Sequence, residues 1–413
     1  TGNPTAWTNK DVTLTINATD AGCDLHSTPY SFDGGSTWQT ANTKTYTNNT
    51  NGIIIKVRDV LGNTATYQTI NITNIDKTAP IISKVEGNPT AWTNKDVTLT
   101  VTASDNKRLN AKAYSFNNGD TWQASNKKSF SSNQIVYIRV RDEAGNISES
   151  KSVTINKIDK NSPTVSVTGN PTAWTNKDVT LKVTAADSAS GLHATPYSFD
   201  GGATWQATSS KTYTSNTNGI VIKVRDNVGN ITTNTINITK IDKTVPGILK
   251  VDGNPTEWTK NSAKLTASAT SNGGSEVIKY SFTNDASKTD WQPSNQKEFT
   301  SNQTVYVRAK DEAGNISLAE KVKIINVDQI KPTVKITGNP TSWTNKDVTL
   351  TITASDAESG LNTAQGAYSF DGGTTWSNTT SKVYTKNTNG IIIKVRDVAG
   401  NIKTYNTRCM TGR

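Results

Sequence analysis

The sequence predicts an all-β protein made of five small β-sandwich domains in an extended array. Three observations support this prediction. β-Branched residues, Asn and Ser are abundant while strong helix formers are scarce, short runs alternate apolar with polar residues, and one motif recurs five times. Only 33% of the 413 residues are hydrophobic, which suits several thin cores better than one large shared core.

The repeated motif is Gly-Asn-Pro-Thr-x-Trp-Thr, which recurs every 82 to 85 residues. Each repeat also has a Tyr-Ser-Phe segment, a second Trp and, near its end, a Gly-Asn pair that predicts a turn with positive φ. Short segments that run from an Asp to a Pro separate the repeats, and we call them joints. The predicted domains are residues 1–78, 79–161, 162–244, 245–330 and 331–413, and the first of them lacks its first strand.

The strands are predicted from alternation with period two. Val12, Leu14 and Ile16 alternate with polar residues, as do Val136 and Ile138 in the second repeat. One face of each strand is therefore expected to be buried and the other wet, as in antiparallel sheets. About seven strands per repeat, with turn signals roughly every 8–12 residues, fit a small β-sandwich.

Three motifs together carry a family resemblance. Tyr-Ser-Phe-Asp-Gly-Gly-x-x-Trp, Val-Arg-Asp-x-x-Gly-Asn and Ile-Asp-Lys-Thr-x-Pro resemble bacterial immunoglobulin-like tandem repeats of large secreted and surface proteins. The resemblance implies five immunoglobulin-like β-sandwich domains at an extracellular or cell-surface location in a bacterium. It also implies a structural stalk or fibre module that spaces or assembles functional parts. An adhesive or glycan-binding array is the alternative function.

The segment from Ser31 to Trp38 resembles the Asp-box of sialidase propellers, and it recurs at 198–205 and 369–376. A structural β-hairpin is the favoured interpretation, with the Asp capping the turn and the Trp packing beneath it. A five-bladed propeller is the rival fold. Propeller blades usually have about 40–50 residues, so the longer repeats favour separate domains.

The first tryptophan of each repeat lies in a polar loop and is a candidate for stacking on sugar rings of a cell-wall or host glycan. The alternative is packing against the end of its own domain or against the neighbouring domain. These candidates are Trp7, Trp92, Trp174, Trp258 and Trp343.

Aspartates concentrate in the joints and after the second strand of each repeat, which predicts Ca²⁺ sites that stiffen the domain ends. Taken singly, these residues are turn or cap residues. The candidates are Asp20, Asp76, Asp105, Asp159, Asp187, Asp242 and Asp356, with Asp328 in the last joint. In repeat four, Ser271 stands where the loop Asp is expected, which weakens the calcium hypothesis there.

A further Asp ends a strand three residues before each Gly-Asn pair. A buried acid at this position can catalyse a Lys–Asn isopeptide bond, but a turn cap is favoured. These residues are Asp59, Asp142, Asp226, Asp311 and Asp397.

Cys23 and Cys409 belong to the first and last repeats, so an extended array would keep them apart. We therefore expect either free thiols or a head-to-tail disulfide between chains. The missing first strand of repeat one is expected to come from a preceding segment or from a neighbouring chain, and in the second case self-association into fibres is predicted.

The sequence gives no reason to expect an enzyme. His26 and His193 are the two histidines and are expected in loops, and hydrolase and metalloprotease motifs are lacking. The net charge of +10 is spread along the chain without a basic stripe, so no nucleic-acid partner is expected. No apolar run approaches 18 residues, so no membrane insertion is expected.

Overall fold

The computed structural model describes residues 1–410, which form 32 β-strands and no helix. The all-β prediction is confirmed, and the many small antiparallel sheets are those of tandem β-sandwich domains. Since the described residues hold no helix at all, none of their segments is a helix able to cross a membrane.

The chain divides into two compact units. The first consists of Thr1–Ser166, Val183–Ser209 and Val221–Asn234, and the second of Val167–Lys182, Ser210–Ile220 and Thr235–Arg413. This division runs through repeat three. The five domain boundaries expected from the sequence therefore stay a prediction.

Repeat one, in the first unit, has seven short strands: β1 (Val12–Thr15), β2 (Leu25–Ser31), β3 (Thr43–Tyr46), β4 (Thr50–Ile53), β5 (Lys56–Asp59), β6 (Thr64–Thr66) and β7 (Ile70–Ile72). They form sheets of order β1-β3, β2-β5-β6 and β4-β7. The alternating Val12, Leu14 and Ile16 are buried with Phe32 and Ile72 in one core. Ile16 lies beyond the end of β1, which stops one residue earlier than the alternation predicts.

Repeat two, in the same unit, contains β8 (Ile81–Glu86), β9 (Val97–Ser104), β10 (Leu109–Ser115), β11 (Lys127–Phe130), β12 (Gln134–Asp142) and β13 (Lys151–Ile155). Two sheets, β8-β9-β11 and β10-β12-β13, enclose one core. The predicted alternation is confirmed, because Val136 and Ile138 point into that core while Tyr137 is exposed.

Repeat three contributes to both units and contains β14 (Thr164–Thr168), β15 (Val179–Ala186), β16 (Leu192–Ser198), β17 (Ser210–Tyr213), β18 (Thr217–Asp226) and β19 (Ile231–Ile238). Their sheets have the orders β14-β15-β17 and β16-β18-β19. His26 in β2 and His193 in β16 were expected in loops, and that expectation is wrong. Both strands carry a register irregularity that spans the histidine, and such an irregularity breaks the period-two alternation from which strands are predicted.

The second unit contains repeats four and five. Repeat four has seven strands: β20 (Gly247–Asp252), β21 (Ala263–Thr270), β22 (Val277–Thr283), β23 (Trp291–Gln292), β24 (Gln296–Phe299), β25 (Gln303–Asp311) and β26 (Glu320–Ile324). Repeat five has six: β27 (Thr333–Thr337), β28 (Val348–Ser355), β29 (Tyr368–Ser369), β30 (Ser381–Tyr384), β31 (Thr388–Arg396) and β32 (Ile402–Cys409). Each repeat has its own buried core between two sheets.

Two glycines of the repeated motifs have clear structural reasons. Gly87 of the Gly-Asn-Pro-Thr motif has φ 93°, and a Cβ there would lie 2.0 Å from the carbonyl oxygen of Thr98. Gly145 of a Gly-Asn pair has φ 94°, which confirms the predicted turn. Both positions favour the one residue that adopts positive φ without steric cost.

Candidate functional site at the joints between repeats

The first joint is anchored in both neighbouring repeats by one residue, Asp76, which is only 4% exposed. Its backbone N–H donates to the carbonyl of Thr8 in repeat one at 3.0 Å. Its carboxylate accepts from Asn106 Nδ2 of repeat two at 3.2 Å, and its carbonyl accepts from Asn146 Nδ2 at 2.8 Å. The adjacent Lys77 instead pairs with Asp11 of repeat one.

The other three joints repeat this arrangement. The joint aspartates are 1–2% exposed, and each accepts a hydrogen bond from a serine backbone N–H of the following repeat. The pairs are Asp159 with Ser190 at 3.0 Å, Asp242 with Ser275 at 3.1 Å and Asp328 with Ser359 at 3.2 Å. A buried carboxylate is stable only when hydrogen bonds replace its hydration, so these contacts fix the joint relative to the next repeat.

The Gly-Asn turn of each following repeat completes the joint. In repeat four, Asp311 accepts from the backbone N–H of Asn315 at 2.7 Å and from its Nδ2 at 2.8 Å. The turn-cap prediction for the strand-end aspartates is thereby confirmed. The same Nδ2 also donates to the carbonyl of Asp242 in the joint at 2.9 Å.

This second role of the turn asparagine was missed from the sequence. It recurs from Asn146 to Asp76, from Asn230 to Asp159 and from Asn401 to Asp328. The recurrence of Asn after Gly in all five repeats was the available signal, because a turn with positive φ needs only the glycine.

Carboxylates gather at three of the four joints. The joint aspartate, the aspartate after the second strand and the strand-end aspartate there bring oxygens within 4.8 Å of one another. The clusters are Asp76, Asp105 and Asp142; Asp159, Asp187 and Asp226; and Asp328, Asp356 and Asp397. In residues 1–410, none of these nine carboxylates forms an ion pair with Lys or Arg.

The candidate calcium ligands therefore come together in part, and each cluster also contains a strand-end aspartate that is predicted as a turn cap. Asp242 has no such cluster, because Ser271 occupies the position of the loop aspartate. Asp20 lies instead with Cys23 and Asp59, outside any joint. Carboxylate oxygens are ligands that Ca²⁺ prefers, so calcium binding at the three clusters stays a prediction.

Electrostatics differ within the last cluster. Burial raises the pKa of the Asp397 carboxyl, hydrogen bonds from Asn401 only partly offset this, and the charges of Asp328 and Asp356 add to the rise. Burial also acts to raise the pKa of Asp328, but hydrogen bonds from Ser359 and neighbouring backbone outweigh it, so that pKa is lowered. A bound cation would stabilise the charged form of Asp397 by supplying the missing opposite charge.

The loop tryptophans lie near the joints. Lys107 Nζ of repeat two lies 5.5 Å from the ring centroid of Trp7, and a Cβ on Gly274 of repeat four would come within 2.8 Å of the Trp174 ring. Trp343 is 65% exposed. The other four are partly buried, namely Trp7, Trp92, Trp174 and Trp258. Trp7 and Trp174 thus each contact the following repeat, and glycan binding by the five residues stays a prediction.

The Asp-box segments form hairpin turns closed by their own side chains. Ser198 Oγ donates to Asp200 Oδ1 at 2.7 Å, and the same Oδ1 accepts from the Thr204 backbone N–H at 3.0 Å. The guanidinium carbon of Arg225 lies 4.2 Å from the Trp205 ring centroid. These contacts confirm the interpretation of the motif as a structural hairpin.

The two cysteines differ in environment. Cys23 is partly exposed in the loop after β1, whereas Cys409 at the end of β32 is fully buried in the core of repeat five. Burial raises the pKa of the Cys409 thiol, which keeps it protonated and less reactive. A disulfide between chains would require the end of β32 to leave the core, and it stays a prediction.

One family of known proteins matches the hairpin segments. Residues 197–207 and 367–378 match the BNR/Asp-box repeat family, in agreement with the motif found in the sequence. These two short segments cover little of the chain, so they do not assign it to that family. No curated protein sequence matches the chain significantly.

Three solved structures are similar to parts of the chain. Fibronectin(III)-like modules of Clostridium thermocellum CbhA share 17% identity with a TM-score of 0.24, covering 40% of this chain and 95% of theirs. Three N-terminal domains of the bacteriophage RB49 Highly Immunogenic Outer Capsid protein share 13% identity with a TM-score of 0.25, covering 60% and 98%. The FN1–FN3 domains of chicken CNTN1 share 12% identity with a TM-score of 0.22, covering 59% and 97%.

Proposed function

We propose that the chain is a structural stalk or fibre module of a bacterial cell-surface or secreted protein, and that it spaces functional parts rather than catalysing a reaction. The observation that carries this proposal is the construction of the joints. Every joint aspartate is buried and bonded to the repeat that follows it. A flexible linker would leave such a residue solvated.

The mechanism is resistance to bending at the joint. Swinging repeat two away from repeat one would break the bonds from Asn106 and Asn146 to Asp76 together. In a bend too small to admit water, the carboxylate of Asp76 and the amide of Asn146 would stay buried without these partners. Because each buried polar group left without a partner costs about 1–3 kcal/mol, such small bends are resisted.

The test is the distribution of distances between two spin labels, measured by pulsed electron resonance. Thr40→Cys in repeat one and Ala124→Cys in repeat two place labels on exposed loops, in a chain with Cys23→Ser. Cys409 is buried and is left unchanged. We expect a narrow distribution that becomes markedly broader with Asp76→Ala.

Asp120→Ala is the matched control for this experiment, because Asp120 is an exposed aspartate of repeat two away from the joint. It should leave the distribution narrow. A distribution that is already broad in the unsubstituted chain, or that does not respond to Asp76→Ala, would refute the rigid joint and with it the spacer function.

Adhesion to a glycan is the second candidate function. The observation that favours it is Trp343, whose ring is largely exposed on a loop of repeat five. Exposed indole faces stack on sugar rings, and the remaining loop tryptophans would contribute through their accessible edges. Saturable binding on a glycan array that is lost with Trp343→Ala would support this function over a spacer alone.

A further inference from the structure

Repeats one, three and five contain the same segment, Asn-Thr-Asn-Gly-Ile, at residues 49–53, 216–220 and 387–391. We call its third and fourth residues the Asn-Gly step, to keep it distinct from the Gly-Asn turn. In all three repeats the step lies on a strand, both of its residues are exposed, and its glycine has φ between 68° and 76°. Because the local sequences are identical, any difference in their chemistry comes from the folded structure.

An Asn-Gly step is chemically labile, since glycine has no Cβ to shield its backbone nitrogen from the asparagine side chain. The glycine N–H loses its proton, and the nitrogen attacks Cγ of the asparagine. The N–Cγ bond forms, the Cγ–Nδ2 bond breaks, and Nδ2 leaves as ammonia. Water then opens the cyclic imide at one of its two carbonyls, which yields Asp or isoaspartate. A hydrogen bond from the glycine N–H opposes the first of these steps.

In repeats one and three, a side chain on the neighbouring strand holds this N–H. Gly52 donates to Asn71 Oδ1 at 2.8 Å, where the pairing of β4 with β7 is irregular. Gly219 donates in the same way to Asn237 Oδ1 at 2.7 Å. The attacking nitrogen of each step is therefore engaged in a hydrogen bond that must break before the reaction can begin.

Repeat five has the same bulge but a different residue opposite it. Residues 389–390 of β31 lie opposite a single residue of β32, Arg408, because the register shifts between Thr388 and Ile391. A guanidinium group carries five N–H donors and no acceptor. The N–H of Gly390 therefore lacks the side-chain acceptor that its counterparts in repeats one and three have.

The sequence has two more Asn-Gly steps, in repeats two and four, and each has its own restraint. Gly119 donates its N–H to Ser115 Oγ at 2.8 Å. Gly273 lies against the carboxylate of Asp242, since a Cβ on this glycine would come within 1.7 Å of Oδ1. A negative charge at this distance disfavours a second one, so it opposes loss of the Gly273 amide proton.

We propose that Asn389 is the site at which the folded chain deamidates as it ages, and that Asn51 and Asn218 are protected by the asparagine opposite each of them. The modification is imide formation within the chain followed by hydrolysis, so it requires water and no enzyme. It is independent of the spacer function.

The modified residue lies beside the core of repeat five. Thr388, which precedes it, pairs with Cys409, and Cys409 is fully buried in that core. Deamidation adds a negative charge to β31, and the isoaspartate product also adds one carbon atom to the backbone of the strand. The change therefore falls next to the strand pair that covers the Cys409 thiol.

The experiment incubates the full folded chain at mildly alkaline pH and follows each Asn-Gly step by peptide mapping with mass spectrometry. We expect Asn389 to deamidate about five- to tenfold faster than Asn51 or Asn218, which corresponds to one hydrogen bond from the glycine N–H. In denaturant the three rates should be equal, because the flanking residues are the same.

Substitutions on the opposite strand test the cause. Arg408→Asn should slow deamidation of Asn389 to the rate of the other two steps, whereas Arg408→Lys supplies no acceptor and should leave the rate unchanged. Asn71→Ala should accelerate deamidation of Asn51 about five- to tenfold, and Asn71→Asp, which keeps an acceptor oxygen, should not. Arg408 and Asn71 are both exposed, so these substitutions leave the cores intact.

Equal rates at the three steps of the folded chain would overturn the proposal, as would the absence of deamidation at Asn389. An unchanged rate in Arg408→Asn would also overturn it, because the missing acceptor would then not be the cause. The three rates are compared within one sample of the unsubstituted chain, so a folding defect in a variant cannot produce the expected order.

Discussion

Replacing Asn315 with alanine should weaken repeat four far more than a turn substitution normally does. Asn315 is 7% exposed, and its amide donates to both the fully buried Asp311 and the carbonyl of Asp242. The alanine leaves both acceptors buried and short of a partner. At about 1–3 kcal/mol for each, we expect a loss of about 3 kcal/mol in the free energy of unfolding of this repeat.

The assay is native-state amide hydrogen exchange on β25, since whole-chain melting would mix several repeats. A loss of about 3 kcal/mol corresponds to exchange roughly 100-fold faster. Asn63→Ala is the matched control, because Asn63 caps the same turn in repeat one, is exposed, and has only the Asp59 contact. We expect about 1 kcal/mol there. Equal effects of the two substitutions would refute the argument that the bond across the joint stabilises the repeat.

Three further predictions use differences between the repeats. Added Ca²⁺ should slow amide exchange in repeats two, three and five but not in repeat four, where Ser271 replaces the loop carboxylate. Asp105→Asn should abolish the response of repeat two. An equal response of repeat four would show that the carboxylate clusters do not cause the slower exchange. Hydrogen bonds from Thr37 and Ser31 lower the pKa of Asp33 below its ordinary value of 3.8. The charged Asp33 therefore stabilises the hairpin fully at pH values above 3.8, and this stabilisation is lost as the pH falls through the lowered pKa. Protection of the amides in this hairpin, measured relative to their intrinsic exchange rate at each pH, should fall in acid. The hairpin of repeat two has Asn117 at the same place and should not show this dependence. Trp343→Ala should change the stability of repeat five by less than about 1 kcal/mol, measured by native-state amide exchange on β31, because the ring is exposed; a larger loss would mean that the ring is structural.

The strand content and the cores follow from the sequence because each depends on local alternation. Val97, Leu99 and Val101 face one way in β9, and all three are buried. The turn chemistry was equally accessible, since Asp311 and Asn315 lie only four residues apart. Short-range patterns of this kind are read directly from residue order.

The joints could be predicted only in part, because their contacts link residues far apart in sequence. Asn315 and Asp242 are separated by 73 residues. A period-two pattern carries no information about such a pair. Residue type predicted part of each acidic cluster. It did not predict that Asp142 belongs to one, because the carboxylate of Asp142 caps its own turn and also lies in the cluster.

The bonds across the joint also give the chain a direction of folding. Asp76 is bonded to Thr8 of repeat one before residue 146, seventy positions later, has been synthesised. A ribosome releases the N-terminal repeat first, and domains generally fold as units in that order. Each folded repeat thus holds the carbonyl of its joint aspartate in a fixed place. The asparagine of the Gly-Asn turn in the next repeat then donates a hydrogen bond to that carbonyl. The repeats therefore template one another in the order of translation, which limits mispairing between neighbours of nearly identical sequence.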